Sequence, residues 1–380
     1  MMTVYLDNSA TTPVDSEVME AMIPYFIENF GNPSSIHAHG RKARSIVEKS
    51  RKKIADLLNT SPAEIFFTSG GTEADNTAIC STVDSLDRKT AITSKLEHHA
   101  VLHCLETLEK NGSVELKYVD VEHTGMLDMD HLEKLILNSD LPFVSLMHAN
   151  NEIGNLNDIE KIATICKEAR ALYHSDTVQS MGKLPHNLEN LSADFLIGSA
   201  HKFHGPKGVG FIYINRENKI APLIHGGAQE RNMRGGTENV AGIVGLATAL
   251  EVAYRDMDEN RRHIEQLKTA MIEQLKEKVV GVGFNGASED LEKSMYSVLN
   301  VSVPQSEEND MLLFNLDIKG ISASGGSACT SGSSVGSHVL AALDTDPNLG
   351  AIRFSFSKYN TIEEVSYTVD TLAELVNPKG

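Results

Sequence analysis

Ala193–Gly210, ADFLIGSAHKFHGPKGVG, is the stretch around which the rest of the chain is organised. The apolar run Ala193–Gly198 has the length and make-up of a buried strand, and Val209–Ile214 predicts a second one. Lys202 therefore lies on a tight turn between two strands, among small residues and histidines. An ordinary hairpin with an exposed lysine would have the same pattern, so the turn alone does not decide its role.

A carboxylate upstream supplies a chemical partner for this lysine. Leu172–Ser175 reads as a strand, Asp176 follows it directly, and Gln179 comes shortly after. A lysine that binds the cofactor covalently and an aspartate that faces a ring nitrogen are the paired requirements of pyridoxal phosphate. The two strands are near enough in the chain to lie side by side, so the pair predicts a pyridoxal phosphate site.

Composition and charge exclude several classes of protein. The chain has 380 residues, 41% hydrophobic and 23% charged, which suffices for a large core and two domains. A formal net charge of −18 leaves no basic surplus for nucleic acid. We find no apolar run of membrane-spanning length and no signal or transit peptide. The four cysteines form no CxxC pair, so we expect reduced thiols in a cytoplasmic protein.

Strand-like and helix-like segments alternate through most of the chain, which predicts a mostly parallel sheet with helices on both faces. After two long helices, Thr237–Arg255 and Asp256–Lys278, the pattern changes to short strands and helices. We therefore predict a large domain over 15–255, and a small α+β domain formed by 1–14 and 256–380.

Two helices contain residues whose environment can be predicted. The basic helix Ala38–Leu58 carries arginines and lysines, Arg51 among them, that we expect on a solvated face. In a helix predicted over Asp158–Tyr173, apolar residues recur at helical spacing and place Cys166 in the core.

Two segments that follow predicted strands also open helices. Thr68–Glu73 offers glycines and helix N-terminal N–H groups, which suit a phosphate, although a capped glycine turn is the plain alternative. Glu97–Ala100 has two histidines, one of which could stack on a flat cofactor; a polar loop is the alternative. The residues alone do not choose between His98 and His99.

Three further features suit ligand binding. His148–Gly154 places amide side chains at a sheet edge, and Arg231–Glu238 combines glycines with a hydroxyl that could complete a phosphate cup. An Asx-rich turn and a linker before a capped helix are the alternatives. Arg353 lies in an apolar strand, where an arginine needs an anionic partner such as an amino-acid carboxylate.

Ser324–Ser334 is a run of small residues with a single thiol, Cys329, in its middle. Such a composition cannot build a core, and we expect a mobile loop. A thiol with little around it to bury it is a candidate nucleophile, with an idle surface cysteine as the alternative.

Together these motifs resemble those of the cysteine desulfurases of the NifS/IscS group, class V members of the fold-type I pyridoxal phosphate enzymes. The resemblance covers almost the whole chain, through YLDNSATTP, GGTEADN, EHHAV, NNEIG, SDTVQ, SAHKFHGPKG, RGGTEN, SACTSG and IRFSFSKYNT. It implies an α/β fold whose large domain has a mostly parallel seven-stranded sheet flanked by helices. The smaller C-terminal α+β domain would carry the mobile cysteine loop.

The resemblance also implies a role for each matching residue. Lys202 would bind pyridoxal phosphate covalently, Asp176 would pair with its ring nitrogen, and Gln179 would contact its phenolic oxygen. His98 would stack on the ring and act in catalysis with Lys202 and Cys329. The other implied ligands are Gly71, Thr72, Ser199 and His201 for the phosphate, and Asn151 and Arg353 for the substrate carboxylate.

The implied reaction removes sulfur from L-cysteine, giving L-alanine and a persulfide on Cys329. Thr237 would reach the cofactor phosphate of a second subunit, which implies a homodimer. The sulfur would pass to an iron–sulfur scaffold or to a sulfur carrier for tRNA thiolation, with no resident metal and only transient contact between Cys329 and a nascent cluster. An aminotransferase or selenocysteine lyase of the same class, and a non-enzymatic assembly partner with this fold, are the alternatives.

Overall fold

The strands and helices follow the alternation predicted from the sequence. The computed structural model describes residues 2–304, 311–325 and 336–377, so Cys329 lies outside the described residues. The strands are β1 (Val4–Tyr5), β2 (Ile65–Thr68), β3 (Thr90–Thr93), β4 (Glu115–Tyr118), β5 (Phe143–Ser145), β6 (Leu172–Ser175), β7 (Phe195–Ser199), β8 (Gly210–Ile214), β9 (Gly283–Phe284), β10 (Val298–Val303), β11 (Ile321–Ser322) and β12 (Gly350–Ser355). The helices are α1 (Ser16–Ile27), α2 (Ala38–Leu57), α3 (Gly71–Ser85), α4 (His99–Lys110), α5 (Met129–Leu137), α6 (Ile159–Glu168), α7 (Val240–Arg255), α8 (Met257–Lys278), α9 (Leu312–Ile318), α10 (His338–Ala342) and α11 (Ile362–Val376).

A seven-stranded sheet is the centre of the larger part of the fold. Its order is β2-β8-β7-β6-β5-β3-β4, and among these seven strands only β8 runs antiparallel to its neighbours. This confirms the predicted mostly parallel sheet.

Both faces of this sheet are covered by helices. Phe195 and Ile197 pack into one apolar cluster with residues of α3 and α4, whereas Leu196, between them, packs into another with residues of α2, α6 and α7. Alternate residues of a strand point to opposite faces, so a strand buried on both sides is continuously apolar. A Cβ at Gly198 would overlap the Phe211 ring of the neighbouring strand, which explains the glycine in β7.

The lysine-bearing turn joins β7 to β8, as the sequence predicts. The two strands pair in antiparallel register from Phe195 with Ile214 to Ser199 with Gly210. A short 3₁₀ turn over Ala200–Lys202 leaves β7 at its carboxyl end. The hairpin therefore presents Lys202 at the sheet edge where ligands of α/β proteins bind.

The N-terminal strand joins the C-terminal part of the chain. β10 pairs with β9 and β12 in an antiparallel sheet, and β1 pairs in parallel with β11. Val4 and Leu6 belong to an apolar cluster that also contains residues of α8, β10 and α11. The predicted domain limits, 15–255 for the large domain and 1–14 with 256–380 for the small one, remain a prediction.

Two expectations about helices are wrong. The helix predicted to run to Tyr173 ends at Glu168, because Arg170 has a φ of 57° in the left-handed region and the chain turns there into β6. Arg51, expected on a solvated face, is 2% exposed and paired with Glu230. Cys166, in contrast, is buried in the core as predicted. Among the described residues, no helix is both long and apolar enough to span a membrane.

Candidate active site

A cavity of about 200 Å³ lies beyond the carboxyl ends of β5, β6 and β7. The loops that follow these strands and the N-termini of α3 and α4 contribute to its walls. Parallel strands end at the same edge of a sheet, so residues far apart in sequence meet there. The lining includes ten of the residues singled out from the sequence: Gly71, Thr72, His98, Asn151, Asp176, Gln179, Ser199, His201, Lys202 and Arg353.

The Lys202 amine is held by the N-terminal segment. Its Nζ donates to the backbone oxygens of Ser9 at 2.5 Å and Ala10 at 3.0 Å. The Gln179 side chain donates to the same Ser9 oxygen through Nε2 at 3.0 Å. The turn that contains Ser9 and Ala10 therefore orients both side chains toward the cavity.

Asp176 is a buried carboxylate with a place for a cationic partner. The backbone N–H of Val178 donates to its Oδ1 at 2.8 Å. Burial raises the pKa of Asp176, while the positive charge of Lys202 opposes that rise. A second cation, such as a protonated ring nitrogen, would stabilise the ionised form further.

Two other buried carboxyl groups, Asp75 and Glu97, lie close to Asp176. Burial raises the pKa of each well above its usual range, and the charge of Asp176 adds to the rise. Glu97 Oε1 also accepts the backbone N–H of Met147 at 2.7 Å. The negative charge of Asp176 therefore favours the protonated forms of Asp75 and Glu97.

His98 is the N-cap of α4 and forms a wall of the cavity. Its Nδ1 accepts the backbone N–H of Ala100 at 3.1 Å, so the proton of the neutral ring is on Nε2. Burial, with the charge of Lys202, lowers the pKa of His98 to about 4. The side chain is therefore an uncharged flat ring at neutral pH.

The first turn of α3 forms the end of the cavity suited to an anion. Gly70 provides no side-chain cap, so the helix N-terminal N–H groups remain available to a ligand. A Cβ at Gly71 would come within 2.9 Å of Val178 Cγ2, so only glycine fits there without a shift. Thr72, Ser199 and His201 line the same end, which is open through an adjoining cavity.

Arg353 lies at the other end of the cavity, in β12. Its Nη2 donates to Asp7 Oδ1 at 2.7 Å, and its Nη1 donates to the backbone oxygen of Asn151 at 2.9 Å. The side chain is 1% exposed, and its Nε has no hydrogen-bond partner among the described residues. The guanidinium is thus held by two acceptors and retains a donor.

Ser337 and His338 contact Glu152 and Glu97, each next in sequence to a residue that lines the cavity, and the sequence analysis missed these contacts. The Ser337 hydroxyl donates to Glu152 Oε2 at 2.5 Å, and His338 Nε2 donates to the backbone oxygen of Glu97 at 2.9 Å. His338 Nδ1 then lies 3.9 Å from Glu152 Oε1.

The sequence analysis assigned no role to four acidic residues at or next to the cavity: Asp7, Asp75, Glu97 and Glu152. Each is a member of a quoted motif, which is the one signal that could have indicated them. One predicted site residue, Thr237, does not line the cavity; it is exposed in the loop before α7. Cys329 lies outside the described residues.

These residues fit pyridoxal phosphate. The cavity is lined by the Lys202 amine, the buried Asp176 carboxylate and the uncharged His98 ring. It also contains the N-terminus of α3, where only glycine fits at position 71 without a shift. Those four features match the aldehyde, ring nitrogen, ring face and phosphate of the cofactor.

The chain is similar to known proteins over almost its whole length. The family model described as aminotransferase class-V matches residues 4–368. The chain is 45% identical to a cysteine desulfurase IscS of Dictyoglomus turgidum over 98% of this chain and 94% of the relative. It is 43% identical to a putative cysteine desulfurase IscS 1 of Bacillus subtilis, with 98% of each covered. A solved NifS-like protein, 41% identical, superposes with a TM-score of 0.90 over 98% of this chain and 99% of its own.

Proposed function

Since the chain belongs to the class V aminotransferase family, and within it to the cysteine desulfurases, we propose that it removes sulfur from L-cysteine. The products are L-alanine and a persulfide on Cys329 that supplies sulfur for iron–sulfur cluster assembly. One observation supports this most strongly: Lys202 and Asp176 line the same cavity, at the ends of two adjacent parallel strands. That pairing is the requirement of a pyridoxal phosphate enzyme.

Eight residues that line the cavity would bind the cofactor and set the protonation of its ring. Lys202 would bind it covalently, and the N-terminal turn that holds the amine would aim it. Asp176 would keep the ring nitrogen protonated, and the neutral ring of His98 would cover one face. Gln179 would give its second Nε2 hydrogen to the phenolic oxygen. The phosphate ligands would be Gly71, Thr72, Ser199 and His201. When bound, pyridoxal phosphate accepts the electron pair that is released at the α-carbon of an amino acid.

Arg353 and Asn151 would bind the carboxylate of L-cysteine. The fork of Arg353 already contacts Asp7 and the Asn151 backbone, so it is oriented before substrate arrives. A pre-oriented guanidinium loses little side-chain entropy on binding a carboxylate. The amine of Lys202, which lines the same cavity, would act as the base for the α-proton.

Cys329 would accept the sulfur atom. Its thiolate would attack the sulfur of the bound substrate, an S–S bond would form, and the carbon–sulfur bond of the substrate would break. The α- and β-carbons would then take up protons to give L-alanine. The persulfide would be transferred to an acceptor protein, either an iron–sulfur scaffold or a sulfur carrier for tRNA thiolation.

A homodimer would complete the phosphate site. Thr237 is exposed and outside the cavity of its own subunit, which is compatible with a role at the cofactor of a second subunit. Exposed apolar side chains at the end of α1 and just after it, such as Phe26, Ile27 and Phe30, would be covered in such an assembly.

The test is the formation of alanine from L-cysteine with a thiol reductant present, for the wild type and Cys329→Ala in parallel. Alanine from the wild type, with at least a hundredfold less from the variant, supports desulfuration through Cys329. Equal alanine from both contradicts the persulfide step. A wild type that binds the yellow cofactor but yields keto acid instead of alanine would be an aminotransferase.

A further inference from the structure

Two cysteines that the mechanism does not use lie side by side. Cys80 Sγ, on α3, is 3.4 Å from Cys104 Sγ, on α4. Both residues are partly exposed, whereas Cys166 is buried. The sequence analysis found no CxxC pair, because these two are 24 residues apart and meet only when the two helices pack together.

The contact between the sulfurs makes one of them the better nucleophile. Either thiol can donate in this contact; with Cys104 as the donor, the hydrogen bond lowers the pKa of Cys80, although burial and the nearby Asp84 oppose this. The same hydrogen bond, together with burial, raises the pKa of Cys104. Since the thiolate is the reactive form of cysteine, Cys80 would attack first and Cys104 would follow.

The sulfur atoms of Cys80 and Cys104 are close enough for a disulfide bond to form between them. A disulfide requires the two sulfurs to approach to about 2.05 Å, which is a small movement from van der Waals contact. Both helices are packed and keep the two side chains adjacent, so closure needs no unfolding. We propose that Cys80 and Cys104 are a redox-active dithiol that a low-molecular-weight disulfide oxidises to a disulfide bridging α3 and α4.

The protein disulfide forms in two successive thiol–disulfide exchange reactions. The Cys80 thiolate attacks one sulfur of the small disulfide, and a small thiolate leaves. Cys104 then loses its proton and attacks the Cys80 sulfur, so the second small thiol leaves and the protein disulfide forms. Two protein thiols are oxidised by two electrons in total, and one small disulfide is reduced to two thiols.

The bridge would connect two helices that begin at the cavity. α3 starts with Gly71 and α4 starts after its N-cap His98, and both residues line the cavity. A covalent link between them reduces the conformational entropy of the unfolded chain and keeps the two helices from separating. The oxidised form should therefore unfold at a higher temperature than the reduced form.

The experiment uses the full-length holoenzyme with Cys329→Ser, so that the loop thiol does not compete. The protein is equilibrated with oxidised and reduced glutathione at several ratios, the remaining thiols are alkylated, and peptides are identified by mass spectrometry. We expect a peptide pair linked through Cys80 and Cys104, loss of the link with dithiothreitol, and a melting temperature that is a few degrees higher when oxidised.

Single substitutions distinguish the two steps. Cys104→Ser should stop at the first step and retain one glutathione on Cys80, whereas Cys80→Ser should react at least tenfold more slowly. The proposal is overturned if oxidised protein carries separate glutathione adducts on both residues without a linked peptide. It is also overturned if both thiols stay reduced at ratios that oxidise an ordinary exposed dithiol. None of these readouts depends on desulfurase activity.

Discussion

Arg353 Nη2 donates to Asp7 Oδ1 across 2.7 Å, which connects strand β12 to the segment just after β1 at the edge of the cavity. The same guanidinium donates to the Asn151 backbone, and both partners lie far from it in the sequence. A substrate carboxylate bound there, as we propose, would have to share this fork with Asp7. The contacts with Asp7 and the Asn151 backbone orient the Arg353 side chain before substrate arrives. They also leave fewer of its N–H donors for a substrate carboxylate, which would limit the affinity for that carboxylate.

Arg353→Lys should weaken the use of L-cysteine. A lysine keeps the positive charge but cannot donate to Asp7, Asn151 and a carboxylate from a planar fork. We expect kcat/KM to fall about 10- to 100-fold, which is roughly 1.4–2.7 kcal/mol. Steady-state kinetics with equal cofactor loading measure it. Arg88→Lys, at a site outside the cavity, is the control, and an equally small change in both variants would contradict the assignment.

Lys202 should carry the cofactor, and its neighbour in the same loop should not. Lys207 is exposed and lines only the outer, adjoining cavity. Borohydride reduction of the wild type should leave a stable cofactor adduct on the peptide that contains Lys202. Lys202→Ala should give no adduct, and Lys207→Ala should behave as the wild type. An adduct found on Lys207 instead would reverse the assignment.

Acid stability should depend on Asp15, which receives hydrogen bonds from Lys358 and Tyr359. Burial would raise its pKa, but these hydrogen bonds and that from Glu17 N–H outweigh it and lower the value from 3.8 to about 2. The native state therefore gains stability from the ionised form above pH 3.8, and this gain is lost as the pH falls through about 2.

Asp15→Asn isolates this charge, because the asparagine oxygen can still cap α1. Denaturant unfolding should show the wild type more stable than the variant near neutral pH, with the difference shrinking below pH 4. Asp56→Asn, in an exposed pair with Lys52, should show a small difference throughout. A difference for Asp15→Asn that does not change with pH would refute the explanation.

Removing one partner of the buried pair of Arg51 and Glu230 should destabilise the protein strongly. The guanidinium donates to both carboxylate oxygens at 2.7 and 2.8 Å, and both side chains are almost fully buried. Arg51→Met would leave Glu230 buried without its partner, at a cost of about 3–5 kcal/mol.

Arg255, which is exposed and pairs with Glu17 and Asp256, provides the control for Arg51. Arg255→Met should reduce the free energy of unfolding far less than Arg51→Met, because water screens exposed pairs. Urea unfolding measures both variants. Equal losses would mean that burial does not decide the strength of these pairs.

Local sequence predicts the elements of the sheet because a buried strand has to be apolar along its whole length. β7 and β8 show this, and the turn that carries Lys202 lies between them as expected. The sequence analysis missed the end of α6 because Arg170 adopts a left-handed conformation and no proline or glycine marks this position in the sequence. The apolar periodicity therefore placed the C-terminus of the helix too late.

Contacts between distant residues account for what could not be predicted at the site. Arg51 looks like any charge on a basic helix, and its partner Glu230 is 179 residues away. The Asp7 carboxylate on Arg353 and the Glu152 carboxylate under Ser337 depend in the same way on the packed chain. The sequence motifs identified the candidate catalytic and binding residues. The acidic side chains that contact them, such as Asp7 at Arg353, could be assigned only from the three-dimensional structure.

The most direct test of the central claim is the mass of intact holoenzyme after L-cysteine is added without a reductant. The account predicts one added sulfur atom per chain, located on the peptide that contains Cys329 and removed by dithiothreitol. Cys329→Ser should show no addition while it still binds the cofactor at Lys202. Alanine production with no sulfur on Cys329, or sulfur on another cysteine in its place, would contradict the account.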